Sequence, residues 1–156
     1  MRGIIILSLS LLLRSEDILG RTINVESAGK DRHRLTRGVV LAIRELAHQT
    51  SVGTESRDMA AFIALALELI AKTVEPSVAA WEKRDYWVKA DKFRMEWAWA
   101  EQLANKMRVA VINDDWAAVA QTSALVAQKL NKITVPPGHR LGHPWVGAWN
   151  ELMKQV

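Results

Sequence analysis

The sequence predicts an all-α protein: a four-helix-bundle-like domain with one unusually long aromatic-rich helix and a short C-terminal helix. Three observations carry that prediction. Apolar residues recur at steps of three and four along several separate stretches, the spacing of one helix face. No convincing run alternates apolar and polar residues with period two, as a half-buried strand would. Glycine, proline, asparagine and aspartate cluster between the stretches, where connections belong. Helices joined by short connections pack most simply as a bundle.

Residues 1–22 stand apart as an apolar N-terminal segment, and residues 23–156 read as a single helical domain. Within the segment, residues 4–13 form an apolar run that includes Ser8 and Ser10, preceded by Arg2 and followed by Arg14, Glu16 and Asp17. The run has the character of a secretory signal core, yet no small-x-small cleavage pair follows. It is too short to span a bilayer, which takes about 20 residues. Three readings stand: a signal, a segment packed on the body, and an upstream extension dispensable for the fold. The break in composition at Gly20 slightly favours the last.

Ser27, Ala28 and Gly29 lead into a first helix over residues 30–49, where Leu35, Val39, Ile43 and Leu46 form one stripe. Residues 50–53 break it. Thr54 or Ser56 can cap a second helix over 55–73, with Glu55 and Asp58 favourable near its positive end. From Met59 to Ala71 only Glu68 interrupts the apolar residues, so this helix belongs at the centre.

Pro76 fits the first turn of a third helix, where its missing N–H costs nothing. Tyr86, Ala90, Phe93, Trp97, Ala100, Ala104 and Met107 continue it as a seam alternating at four and three. Residues 76–107 at 1.5 Å each give roughly 50 Å, against roughly 30 Å for its neighbours. Val109, Val111 and Ile112 fit either an extension of this helix or a short extended tail. Asn113-Asp114 supplies a cap for a fourth helix over 115–131, with Trp116, Val119, Val126 and Leu130 inward. Pro136-Pro137-Gly138 and Gly142 mark a loop, and Pro144 opens a short last helix with Trp145, Trp149 and Leu152.

Composition bounds the chemistry. The chain has 156 residues, 49% of them apolar and 24% charged, enough for one well-formed core. Cysteine is absent, so disulfides, thiolate metal sites and thiol catalysis are excluded. That absence suits a cytoplasmic protein, with secretion the alternative should residues 1–20 be a signal. The net charge of +4 permits contact with anionic partners without requiring it.

The aromatic stretch over residues 81–99 is the distinctive feature. It holds Trp81, Trp87, Trp97 and Trp99, four of the chain's seven tryptophans, with Tyr86 and Phe93. On one continuous helix, Trp81, Val88, Met95 and Trp99 form a second stripe away from the Phe93 seam, and Trp87 lies on a third side. A tryptophan-sized ring removes about 150–250 Å² from water, worth roughly 4–6 kcal/mol before ordering costs. These rings need cover. The N-terminal segment and last helix supply it in one reading. In the other, Trp81, Trp87, Val88, Met95 and Trp99 are a partner interface, most simply of a two-fold homodimer, or a dock on a larger complex.

Other chemistry finds less support. Glu45 and His48 form one Glu-x-x-His pair, but a di-metal bundle site needs a second copy, and these project away from the apolar stripe. His139 and His143 are better read as turn residues than as zinc ligands. Residues 27–30 lack the glycine and hydroxyl residue of a phosphate loop, since Asn24 and Asp31 stand there. Glu68 is the one acid expected inside, paired with a cation from the third helix or, in a helical enzyme or small-ligand binder, lining a pocket. No catalytic residue, cofactor or metal site is assigned.

A basic side remains. Lys30, Arg34, Arg37 and Arg44 gather opposite the stripe of the first helix, and Lys83 and Arg84 join the aromatic stretch. Such cations interleaved with rings suit nucleic acid. Glu82, Asp85, Asp91 and Glu96 intersperse with them, which is the pattern of a solvated face. The sequence expectation is therefore a non-enzymatic association module. A basic nucleic-acid accessory protein is the alternative, and a ligand binder or enzyme using Glu68 comes third.

Overall fold

The computed structural model describes residues 25–156, and within them the backbone is helical with no strand. The expectations for residues 1–22 lie outside the described residues. Six helices are described: α1 (Val25–Ala47), α2 (Thr54–Lys72), α3 (Val74–Glu82), α4 (Trp87–Ile112), α5 (Trp116–Lys129) and α6 (Ala148–Met153).

Helix α1 begins five residues before the predicted start. Its stripe faces inward as expected: Leu35 and Val39 are fully buried, and Ile43 and Leu46 pack half-buried on the same core. The α2 cap differs from the prediction. Gly53 is the N-cap and no side chain caps the helix. Ser56 faces inward instead, and its hydroxyl donates to the Ser51 carbonyl at 2.9 Å.

Helix α2 is the hub. Every residue from Met59 to Leu67 is buried, and α2 packs on α1, α4 and α6. Small residues permit this crowding: Ala60, Ala61, Ala64 and Ala66 of α2, with Ala100 and Ala104 of α4, join one buried cluster. The helix stops at Lys72 for a covalent reason. Pro76 has no N–H to offer the Lys72 carbonyl four residues back, and its ring crowds that oxygen. The chain kinks at Thr73 and resumes as α3, with Pro76 in the first turn as predicted.

The single long helix expected from residue 76 is corrected to two. Helix α3 ends at Glu82, where the Tyr86 amide donates to the Trp81 carbonyl and the Asp85 amide to the Glu82 carbonyl, both at 3.0 Å. Asp85 adopts φ 63°. Those two bonds around a left-handed residue are a Schellman stop. Glycine usually fills that position; aspartate is among the few other residues that tolerate it. The same device ends α4: Asp115 N–H donates to Ala110, Asp114 N–H to Val111, and Asp114 has φ 53°. Helix α4 is nonetheless the longest described element, 26 residues or about 39 Å, and it carries most of the rings. Val109, Val111 and Ile112 extend it.

Asp115 then caps α5, its carboxylate accepting from the Ala118 amide at 3.1 Å. Val119, Val126 and Leu130 are buried and Trp116 is half-buried, as predicted. The last helix begins at Ala148 rather than Pro144, because Gly147 sits at φ 82° and interrupts the helical run. Trp145 and Leu152 bury in the main core, and α6 packs on α2. A smaller core of Val74, Val78 and Ala90 lies at the α3–α4 corner.

Candidate interaction surface

The break between α3 and α4 redistributes the rings. Trp81, now on α3, meets Phe93 edge-on at 4.9 Å, and Phe93 leads to Trp97 at 6.2 Å. Trp97 stacks with Trp99 at 5.9 Å and 26°. These four rings form a half-buried ladder packed against the two cores. Two of the predicted interface residues, Trp81 and Trp99, therefore spend much of their ring area inside the subunit.

Arg32 closes the ladder from α1. Its guanidinium lies 4.8 Å over Phe93 and 5.5 Å from the Trp97 ring centre. The same group donates to the Thr73 carbonyl at 3.2 Å and to the Thr73 hydroxyl at 3.1 Å, at the kink that Pro76 creates. A cation there meets the negative end of α2. Burial holds the Arg32 pKa below the usual arginine value. Its neighbours at Lys30, Arg34 and Arg37 give no sequence cue that sets it apart.

Three of the five predicted interface residues are open to solvent. Trp87 is 56% exposed, Val88 83% and Met95 73%. Val88 and Met95 lie two turns apart on one side of α4. Val109, 58% exposed, falls within about 60° of them further along. Tyr86, placed in the buried seam by its spacing, instead stands in the corner and is 54% exposed. Residues 83–89 are all exposed, so the corner projects from the body.

Charge around that corner is also rearranged. Arg94 draws in Glu82 at 2.8 Å, Glu75 at 3.2 Å and Asp91 at 3.3 Å. Hydrogen bonds that Arg94 donates to Glu75 and then to Glu82 raise its pKa. Two of the four acids interspersed with the corner cations, Glu82 and Asp91, thus pair with Arg94. Lys83, Arg84, Lys89 and Lys92 are exposed, and Lys89 lies 5.0 Å from the Trp81 ring centre. The α1 cations are placed differently. Arg44 donates to the Val135 carbonyl at 3.0 Å and approaches Glu45 at 3.8 Å, while Lys30, Arg34 and Arg37 lie nearer the other end of that helix.

Glu68 pairs with Arg108 of α4, 2.7 Å from Nη2 and 2.8 Å from Nε, with both side chains about a quarter exposed. Arg108 also donates to Gln155 at 2.6 Å. This is the cation pairing expected for Glu68. It lines neither of two clefts among the described residues, one of about 440 Å³ beside Ile43, Val52 and Trp116, the other of about 450 Å³ beside Val109 and Leu125. His139 Nδ1 accepts from the Leu141 amide, and the His143 ring meets Trp145 edge-on. Among the described residues no group of three or more histidines and acids gathers as metal ligands would.

Asp58 has a structural role that the sequence reading did not give. Its two carboxylate oxygens accept from the Gly147 amide at 3.1 Å and the Trp149 amide at 3.0 Å, capping α6 from another helix. Its position near the start of α2 signalled only a local dipole contact. No described helix is long and apolar enough to cross a membrane. No protein-family model, curated protein or solved structure matches the chain.

Proposed function

We propose that this protein is a helical association module, and that the outer side of α4 pairs with the same side of a second copy. One observation carries the reading: Val88, Met95 and Val109 are exposed apolar residues on one side of the longest described helix, with half-buried Trp99 and exposed Gln102 and Lys106 between the last two. A two-fold pairing is self-complementary, so one side of a helix can meet its own copy antiparallel. With the axis near the small, exposed Ala98, Val88 faces the second copy's Val109. Trp99 and Trp81 then flank the contact with their remaining exposed edges. Trp87 lies apart from this side.

Sedimentation velocity at micromolar to tens of micromolar protein tests the proposal. A dimer is expected, with an affinity on the order of micromolar, or about −8 kcal/mol. Met95→Asp, which places a carboxylate on that side, is expected to return it to monomer while keeping its helical circular dichroism and melting at the Tm the wild type shows when dilute. A wild-type chain that stays monomeric at the highest concentration overturns the proposal.

A further inference from the structure

We infer that the cleft between α1, its connection to α2, and α5 binds a small uncharged molecule with an apolar body and one hydrogen-bonding oxygen. The cleft exists because α1 and α5 pack on a common core while touching each other little. The gap, about 440 Å³, is walled by Ile43 and Leu46 of α1, Val52 of the connection, and Trp116 and Val119 of α5. That volume lies in the range of small-molecule sites. At roughly 30 Å³ for a water-sized group, it holds about ten to fifteen non-hydrogen atoms.

Two observations select the occupant. The first is Ser123, which lies two turns beyond Trp116 on the same side of α5 and lines the cleft. It is 7% exposed, and its hydroxyl has no hydrogen-bond partner among the described residues. A helical serine turned from water ordinarily returns its hydroxyl to the carbonyl one turn back, here that of Val119; Ser123 does not. A buried hydroxyl left unmet is costly. It swings about a single bond and both donates and accepts, so an oxygen seated against Ser123 can meet it. Two other donors on the lining are already taken: the Trp116 indole donates to Asp114 at 2.6 Å, and the Ser56 hydroxyl to the Ser51 carbonyl at 2.9 Å. The second observation is charge. Among the described residues that line the cleft, none is ionisable. An ion placed there would lose hydration and gain no counter-charge, so the occupant is neutral.

The probes are p-cresol and p-xylene, which match in size and differ only by a hydroxyl in place of a methyl. Amide chemical shifts of the isotope-labelled full chain report their binding. p-Cresol is expected to bind with a Kd of about 0.1–1 mM. Its shifts should centre on residues 43–52 and 116–124, which bound the cleft. p-Xylene is expected to bind about 3–10-fold more weakly. The anion p-toluate is expected not to bind. Ser123→Ala removes an unmet hydroxyl, so it is expected to keep or raise Tm and to abolish the preference for p-cresol over p-xylene. Ala120→Phe, at an exposed position on the cleft lining, is expected to fill the cleft and stop p-cresol binding with helical circular dichroism unchanged. Met95→Asp is expected to bind p-cresol as the wild type does, so this inference and the association proposal fail separately. The inference is overturned by no p-cresol binding, by shifts centred elsewhere, or by p-xylene or p-toluate binding as tightly as p-cresol. A Ser123→Ala variant that melts lower or keeps the preference also overturns it.

Discussion

Asp85 and Asp114 each hold a backbone conformation that costs an ordinary L-residue about 1–2 kcal/mol. Asp85→Gly is therefore expected to stabilise the fold by about 1 kcal/mol, raising Tm by about 2–4 °C in a thermal melt. Asp85→Val is expected to lower it. Asp114→Gly gains less, because the Asp114 carboxylate also accepts from the Trp116 indole at 2.6 Å and pairs with Arg57 at 3.7 Å. Arg32→Ala removes a donor from the Thr73 carbonyl and hydroxyl and a cation from two rings; a loss of about 2–3 kcal/mol is expected in denaturant titration. The lowered Arg32 pKa makes the unfolded chain the stronger proton binder, so this group favours the fold as pH rises. That slope belongs to the far alkaline range where arginine titrates, and Arg32 adds none near neutrality. Little of this was legible in the sequence. A turn written with aspartate in place of glycine sends no signal, and Arg32 looks like any cation in a basic run.

At the scale of elements, periodicity carried the prediction well. The stripes of α1 and α5, the all-round burial of α2 and the role of Pro76 follow from residue spacing and proline chemistry alone. The break between α3 and α4 did not follow, because helical spacing continues across it, from Trp81 to Val88 on one stripe and through Tyr86, Ala90 and Phe93 on the other. Once Asp85 turns the chain, Trp81 of the first stripe meets Phe93 of the second beside the small corner core. The cap on α6 was illegible for another reason: Asp58 and the amides it holds lie 89 and 91 residues apart. Asp58→Ala is expected to cost about 1–2 kcal/mol, the upper range for a lost cap. Its signature is local. Amide exchange at Gly147 and Trp149 should accelerate by far more than exchange within α2.

For the molecule as a whole, the exposed apolar surface on the aromatic stretch was legible at Trp87, Val88 and Met95 and misplaced at Trp81 and Trp99. The ladder absorbs Trp81 and Trp99, and the exposed area collects instead at Trp87, Val88 and Met95. If α4 pairs with its copy, Tm should rise with protein concentration in the wild type and stay constant in Met95→Asp. Deleting residues 144–156 removes Trp145 and Leu152 from the core, and loss of cooperative folding is expected in circular dichroism. The central position of α2 also sets a schedule during synthesis. Its partner α6 follows it out of the ribosome after roughly 90 further residues. At about 5–20 residues per second, the most apolar rod of the newborn chain stays incompletely sheathed for roughly 4–18 s. Chaperones have that interval in which to hold it, and so do neighbouring nascent chains on the same message.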